Sequence, residues 1–288
     1  MNIDSFNQQQ EAILQLISTY RVDWLEPFFF FLHTIDYFWF YLFLVLLGWL
    51  KMGKLRGSHL FTLFFANWVT VFLIKDILEL PRPPESLWIF PAEGFGLPSA
   101  AAANSMLILG YFISQTERFF YRFLLGLALF FLSFCSLYIG VHYPLDVVVG
   151  LLIGLTFLSL YYESIDPIMT ITKKIPPFLD FFFGSGVIIL LFLKTSTLLR
   201  STELCFIGLG VYSGLACRAY LPLPFAERGI NAIICLFLIG VISLIYSLVP
   251  KPDFPIFYPV LFFMGLIPPL IGPWIANRLL YPKNRLQD

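Results

Sequence analysis

The stretch CSLYIGVHYPLDVVVG, residues 135–150, decides how this chain reads. An apolar run breaks at Gly140, His142 stands two residues before Pro144, and Asp146 follows four residues after the histidine. Proline suits the first turn of a helix, because its missing N–H would be unpaired there anyway. Pro144 therefore marks the start of a new apolar helix, with His142 at its mouth. A carboxylate bonded to one imidazole nitrogen fixes the tautomer and leaves the other lone pair available to attack or abstract. The plainer reading of a single histidine is structural, and its neighbours have to decide between the two.

Composition supplies the setting. Of 288 residues, 59% are hydrophobic and 12% charged, with a mean hydropathy of +0.82. A soluble domain carries about 25% charged residues, so this chain cannot present a polar exterior to water and belongs in a bilayer. A formal net charge of zero argues against nucleic acid as a partner. Cys135, Cys205, Cys217 and Cys235 all lie in apolar runs without C-x-x-C spacing, so neither zinc nor a disulfide framework is indicated.

Nine hydrophobic segments approach the ~20 residues that a spanning helix needs. They cover residues 27–50, 59–78, 97–114, 119–138, 144–162, 179–199, 204–219, 230–248 and 255–280. The seventh is short and the ninth holds Pro268, Pro269 and Pro273, so the sequence predicts an all-α polytopic bundle of eight or nine transmembrane helices. Basic residues gather after every odd-numbered segment: Lys51, Lys54 and Arg56, then Arg118 and Arg122, then Lys173 and Lys174, then Arg218 and Arg228, then Arg278, Lys283 and Arg285. By the positive-inside rule the N-terminus lies outside and the C-terminus in the cytoplasm. Residues 1–24 form a separate segment, with Ile13, Leu16, Ile17 and Tyr20 on one helical face and glutamines on the other. This is either an amphipathic helix on the membrane surface or a solvated helix packed on the domain. No cleavable signal peptide is expected.

That topology puts two further polar segments on the same external side as His142. In KDILELPRPP, Lys75 precedes Arg82 and Pro83 by six intervening residues. Two fixed cations suit the oxygens of a phosphate; alternatively Lys75 pairs with Glu79 along the helix. In LPSAAAANSM, residues 97–106, Pro98 and Ser99 precede a helix. Ser99 caps that helix, or its hydroxyl meets an anion drawn to the helix start.

In this order the three segments resemble the type-2 phosphatidic acid phosphatase superfamily, whose members share a haloperoxidase-like helical core. The family pattern is Lys, six residues, Arg-Pro; Pro-Ser-Gly-His; and Ser-Arg, five residues, His, three residues, Asp. The likeness covers about residues 25–165, leaving 178–282 as additional helices to which no chemistry attaches. It implies a metal-free, cofactor-free site at the outer leaflet of the membrane, in a bacterial member the inner membrane. There His142 attacks phosphorus, Asp146 orients it, and Lys75, Arg82 and Ser99 hold the oxygens of a phospholipid or polyprenyl diphosphate headgroup.

Two of the three motifs depart from that pattern. Ala100 and Ala101 stand for the Gly-His whose histidine protonates the leaving group, and Cys135 and Ser136 stand for Ser-Arg. A positioned general acid contributes about 10²–10⁴ in rate, and a preorganised charge-stabilising donor about 10²–10³. The remaining histidines are His33 and His59; His59 falls on the cytoplasmic side, and His33, beside Thr34 and Asp36, is either a substitute acid or a structural residue. Two functions are thus expected in competition: a weakened phosphatase acting through a phosphohistidine, or a pseudophosphatase that binds anionic headgroups without turnover. Transport is disfavoured, because the C-terminal spans carry almost no intramembrane charge beyond Lys194 and Arg218.

Overall fold

The computed structural model describes residues 3–36, 40–45, 48 and 54–172. Every element among them is helical: α1 (Ile3–Thr19), α2 (Glu26–Ile35), α3 (Lys54–Leu78), a 3₁₀ turn (Glu85–Leu87), α4 (Ala100–Gln115), α5 (Phe119–Tyr138) and α6 (Pro144–Thr172). Three stretches are long and apolar enough to cross a membrane: His59–Leu78, Phe119–Tyr138 and Pro144–Thr170. They coincide with the second, fourth and fifth segments expected from hydropathy. The sixth to ninth segments lie outside the described residues. In the first segment, α2 stops at Ile35, where the Asp36 amide turns back to the Leu32 carbonyl, and helical conformation is described again over 40–45.

The chain divides into two compact units, one holding Met1–Leu44 and Ala66–Glu163, the other Val45–Phe65 and Ser164–Asp288. In the first, α5 packs against α4, α2 and α1. Its core gathers Phe29 and Leu32 from α2, Leu109 from α4, and Leu132, Cys135 and Tyr138 from α5, closed by Ile139 and Val141. Phe29 stacks on Tyr138 with ring centroids 3.8 Å apart. The outward side of α5 leaves Phe119, Phe120, Phe123 and Phe130 more than half exposed, the surface that lipid rather than water would cover. In the second unit, His59 Nε2 lies 2.8 Å from Ser164 Oγ.

The alanine run has a packing reason on one side. Ala102 and Ala103 are fully buried against Gly150 and Gly154 of α6. A Cβ at Gly150 would collide with the Ser99 carbonyl, and one at Gly154 with the Ala103 carbonyl and, at 2.8 Å, with Met106 Cβ. Small residues on both helices let their backbones approach closely. Ala100 and Ala101 are only part-buried, so this packing does not account for them. Asn67 Nδ2 donates to Asn104 Oδ1 at 2.8 Å, joining α3 to α4 through a buried polar pair.

Candidate functional site

The residues singled out by sequence converge in the first unit. Pro144 opens α6, and one turn in, the Asp146 carboxylate reaches back over the helix start. Its Oδ2 accepts from the Tyr143 amide at 2.9 Å and lies 3.1 Å from His142 Nδ1. A carboxylate offers only acceptors, so Nδ1 carries the proton and Nε2 the lone pair. That Nε2 lies 3.3 Å from Arg82 Nη1. His142 and Asp146 are 7% and 4% exposed.

The loop of residues 79–99 brings the cations to this point. Arg82 is held as a fork: Nε donates to the Gly94 carbonyl at 3.0 Å, Nη2 to that of Glu93 at 2.9 Å and Nη1 to that of Val141 at 2.9 Å. Lys75, on the last turn of α3, donates to the carbonyls of Phe95 and Gly96, each at 2.7 Å. Among the described residues no ion pair joins it to Glu79, so the helix-pair alternative does not describe its contacts. Gly96 is a glycine for a reason: a Cβ there would sit 3.0 Å from Asp146 Oδ2 and 3.2 Å from the Pro81 carbonyl. The loop is pinned to the histidine turn by the Ile89 amide on the Ile139 carbonyl at 3.0 Å.

Burial, which strips water from the charged form, is the main reason that the His142 pKa falls to about 4. Lys75 and Arg82 push the same way, while the hydrogen bond and charge of Asp146 oppose them. The imidazole is therefore neutral at physiological pH, with a nucleophilic lone pair facing a guanidinium. The Arg82 pKa is also lowered, again mostly by burial.

Ser99 is fully buried at the start of α4. Its Oγ accepts from the Ala102 amide at 3.4 Å, so the helix-capping alternative is the contact observed, and its own amide donates to the Asp146 carbonyl at 2.9 Å. Cys135 Sγ faces the Phe29 carbonyl at 3.4 Å, and Ser136 is buried, its carbonyl accepting from the Val141 amide. Neither supplies a cation. Ala100 and Ala101 supply no side-chain donor. His33 stacks on Phe90, with centroids 6.0 Å apart.

Sequence reasoning missed several participants. A buried network lies behind α4: the Tyr41 hydroxyl donates to the Asp36 carboxylate, lies 2.7 Å from Ser105 Oγ, and reaches the Ala101 carbonyl at 3.4 Å. Asp36 in an apolar run was the available signal. Gln10 and Glu11, which contact the histidine turn, carried none. Among the described residues, no three His, Cys, Asp or Glu side chains are grouped to hold a metal ion.

With that geometry in place, comparison with known proteins gives a clear affiliation. Residues 57–169 match the PAP2 superfamily. This segment is a PAP2 domain. All three motifs fall in it, so the resemblance read from Lys75, Pro98-Ser99 and His142 is the family relationship itself. Over 158 residues, 47% of this chain, the protein is 28% identical to lipid phosphate phosphatase delta of Arabidopsis thaliana. The match spans 38% of that relative's length. A crystal structure of LpxE from Aquifex aeolicus aligns with 53% of this chain and 93% of its own, at 24% identity and a TM-score of 0.46.

Proposed function

We propose that this PAP2 domain is a membrane phosphohydrolase of lipid phosphates or polyprenyl diphosphates, working at the outer leaflet with an impaired second half-site. The observation that carries it is His142, with Nδ1 on Asp146 and Nε2 3.3 Å from Arg82. The name of the Arabidopsis relative supports the class of substrate.

In this reading Arg82, Lys75 and the start of α4 at Ser99 hold the phosphoryl oxygens. The Nε2 lone pair attacks phosphorus, an N–P bond forms, and the P–O bond to the leaving group breaks with its electron pair going to that oxygen. Water then attacks phosphorus, the N–P pair returns to Nε2, and inorganic phosphate departs. The first step lacks a positioned acid at Ala101, so the departing oxygen takes its proton from water. A diphosphate, which expels a phosphate, tolerates that better than a monoester expelling an alkoxide. The second reading, a binder of anionic headgroups without turnover, is favoured by the same two positions, Ala101 and Ser136.

Purified protein in detergent, incubated with a labelled polyprenyl diphosphate or with phosphatidic acid beside a His142→Ala control, separates the readings. Phosphate release above the control, larger for the diphosphate, is expected. Release no faster than the control removes the enzyme. Restoring the missing groups with Ala101→His and Ser136→Arg should raise turnover by about 10²-fold or more.

A further inference from the structure

Helix α1 grips the histidine turn from outside the site. Gln10, 6% exposed, accepts a hydrogen bond from the Leu145 amide at 2.9 Å, and Glu11 accepts one from the Tyr143 hydroxyl at 3.1 Å. Leu145 is the second residue of α6, and its N–H is one of the four at a helix start with no acceptor inside the helix. Gln10 supplies that acceptor from 135 residues away. Just beyond α1, Arg21 donates to the Leu87 carbonyl at 2.8 Å and lies 5.9 Å over the Tyr138 ring. The Val22 amide reaches the Tyr138 hydroxyl at 3.4 Å. The helix is thus fastened at its middle to the turn that carries His142, and the residues just past its C-terminal end are fastened to Leu87 and Tyr138.

Its surface divides into three rows. At 3.6 residues per turn, Gln10, Leu14 and Ile17 line up toward the protein, with Gln10 and Leu14 buried and Ile17 packed on the core. Beside them runs an open row that starts at the exposed Gln9 and is apolar from there on, with Ile13, Leu16 and, just past the helix end, Tyr20, 46%, 58% and 76% exposed. Gln8, Ala12, Gln15 and Thr19 make a third, exposed row. One row on protein, one apolar and bare, one polar: such a helix fits a line where protein, lipid and water meet. The contact with Tyr138 sets the level, since that residue ends the apolar stretch of α5. Trp24, in the turn after α1 and 76% exposed, is a residue type that favours the headgroup zone.

We infer that α1 is an interfacial strap, resting Ile13, Leu16 and Tyr20 on the lipid headgroup layer while Gln10 and Glu11 position the turn that holds His142. The value of that positioning rests on the phosphohydrolase reading; the strap itself does not. Gln10 and Glu11 are positioning residues, acting on His142 through Tyr143 and Leu145. The charged groups that bear directly on the imidazole are Asp146 of α6, Lys75 of α3 and Arg82 of the loop.

The test uses the full chain in nanodiscs of phosphatidylcholine and phosphatidylglycerol and needs no turnover. The chain has three histidines, so a ¹⁵N-histidine spectrum isolates His142 by its loss in His142→Ala. Gln10→Ala should displace the His142 titration and speed amide exchange at Leu145 by about tenfold, the worth of one hydrogen bond. Gln10→Glu, which keeps the acceptor oxygen, should restore slow exchange at Leu145. Titration and exchange unchanged in Gln10→Ala would overturn the positioning role, as would exchange at Leu145 in Gln10→Glu as fast as in Gln10→Ala. A photoreactive benzoylphenylalanine replacing Leu16 should capture lipid, and one replacing Gln15 should not; equal capture at both would overturn the lipid contact. Failure of the phosphohydrolase reading would appear separately, as absent phosphate release with these signals intact.

Discussion

His142 sits among opposing influences: a carboxylate on Nδ1 that favours the imidazolium, and burial with two cations that disfavour it. Disfavour wins, and the pKa falls from the usual 6.5 to about 4. In the proposed reaction the neutral imidazole is the attacking form, and its fraction rises with pH and is nearly complete above about pH 5. The acid limb of kcat/KM is therefore expected to bend near pH 4, with no loss as the pH drops from 7 to 6. A bend near 6.5 in the measured profile would mean that the imidazole titrates as if in water. Arg82 shows the complementary economy of a planar donor group, since three backbone carbonyls fix its fork while Nη1 still faces the histidine.

Between α5 and α6 the turn itself is built on Gly140, whose φ of +82° lies in the left-handed region. A Cβ there would also run into the Leu87 carbonyl and stand 2.9 Å from Arg21 Nη2. Gly140→Ala is thus expected to lower stability by about 1–3 kcal/mol, read as a fall in thermal midpoint in detergent, with phosphate release falling alongside. An unchanged midpoint would show that the turn shifts without cost. Elements of this kind were partly legible beforehand. Pro144 announced the start of α6, and the four-residue step from His142 to Asp146 became a real contact because one helical turn brings the carboxylate back over its own N-terminus. The N-terminal helix was legible as amphipathic but not in its docking: Ile17 turns toward the core while Ile13, Leu16 and Tyr20 face out, and periodicity alone cannot say which part of an apolar arc finds protein. Hydropathy averaged over residues 27–50 likewise hid the stop at Ile35, with Asp36 as the capping residue. The partnership of Gln10 with Leu145 had no local signal, because it joins residues remote in sequence.

On the scale of the molecule, the apolar runs and their charge flanks define an integral membrane protein, and three of the expected spans are described as long apolar helices. The orientation inferred from the basic residues makes its own prediction. A green fluorescent protein fused after Asp288 should fluoresce in cells, and protease added to spheroplasts should cut near Glu93 while sparing that fusion. Cleavage of the fusion from outside would invert the topology and put the site on the cytoplasmic side. The spacing of the three motifs made the convergence of Lys75, Arg82, His142 and Asp146 readable without coordinates, because each motif lies at an end of an apolar helix on one side of the bundle.

The close seating of Ala102 and Ala103 on Gly150 and Gly154 has a mechanical corollary. With the Ser99 amide also tied to the Asp146 carbonyl, the starts of α4 and α6 are seated closely with little room to slide past each other. In the proposed function, the yielding that admits a headgroup would then come from the loop of residues 79–99, whose backbone carbonyls are held by the side-chain donors of Arg21, Lys75 and Arg82. Admission and release would accordingly respond to changes along residues 80–96, while changes between α4 and α6 would register as failures of folding.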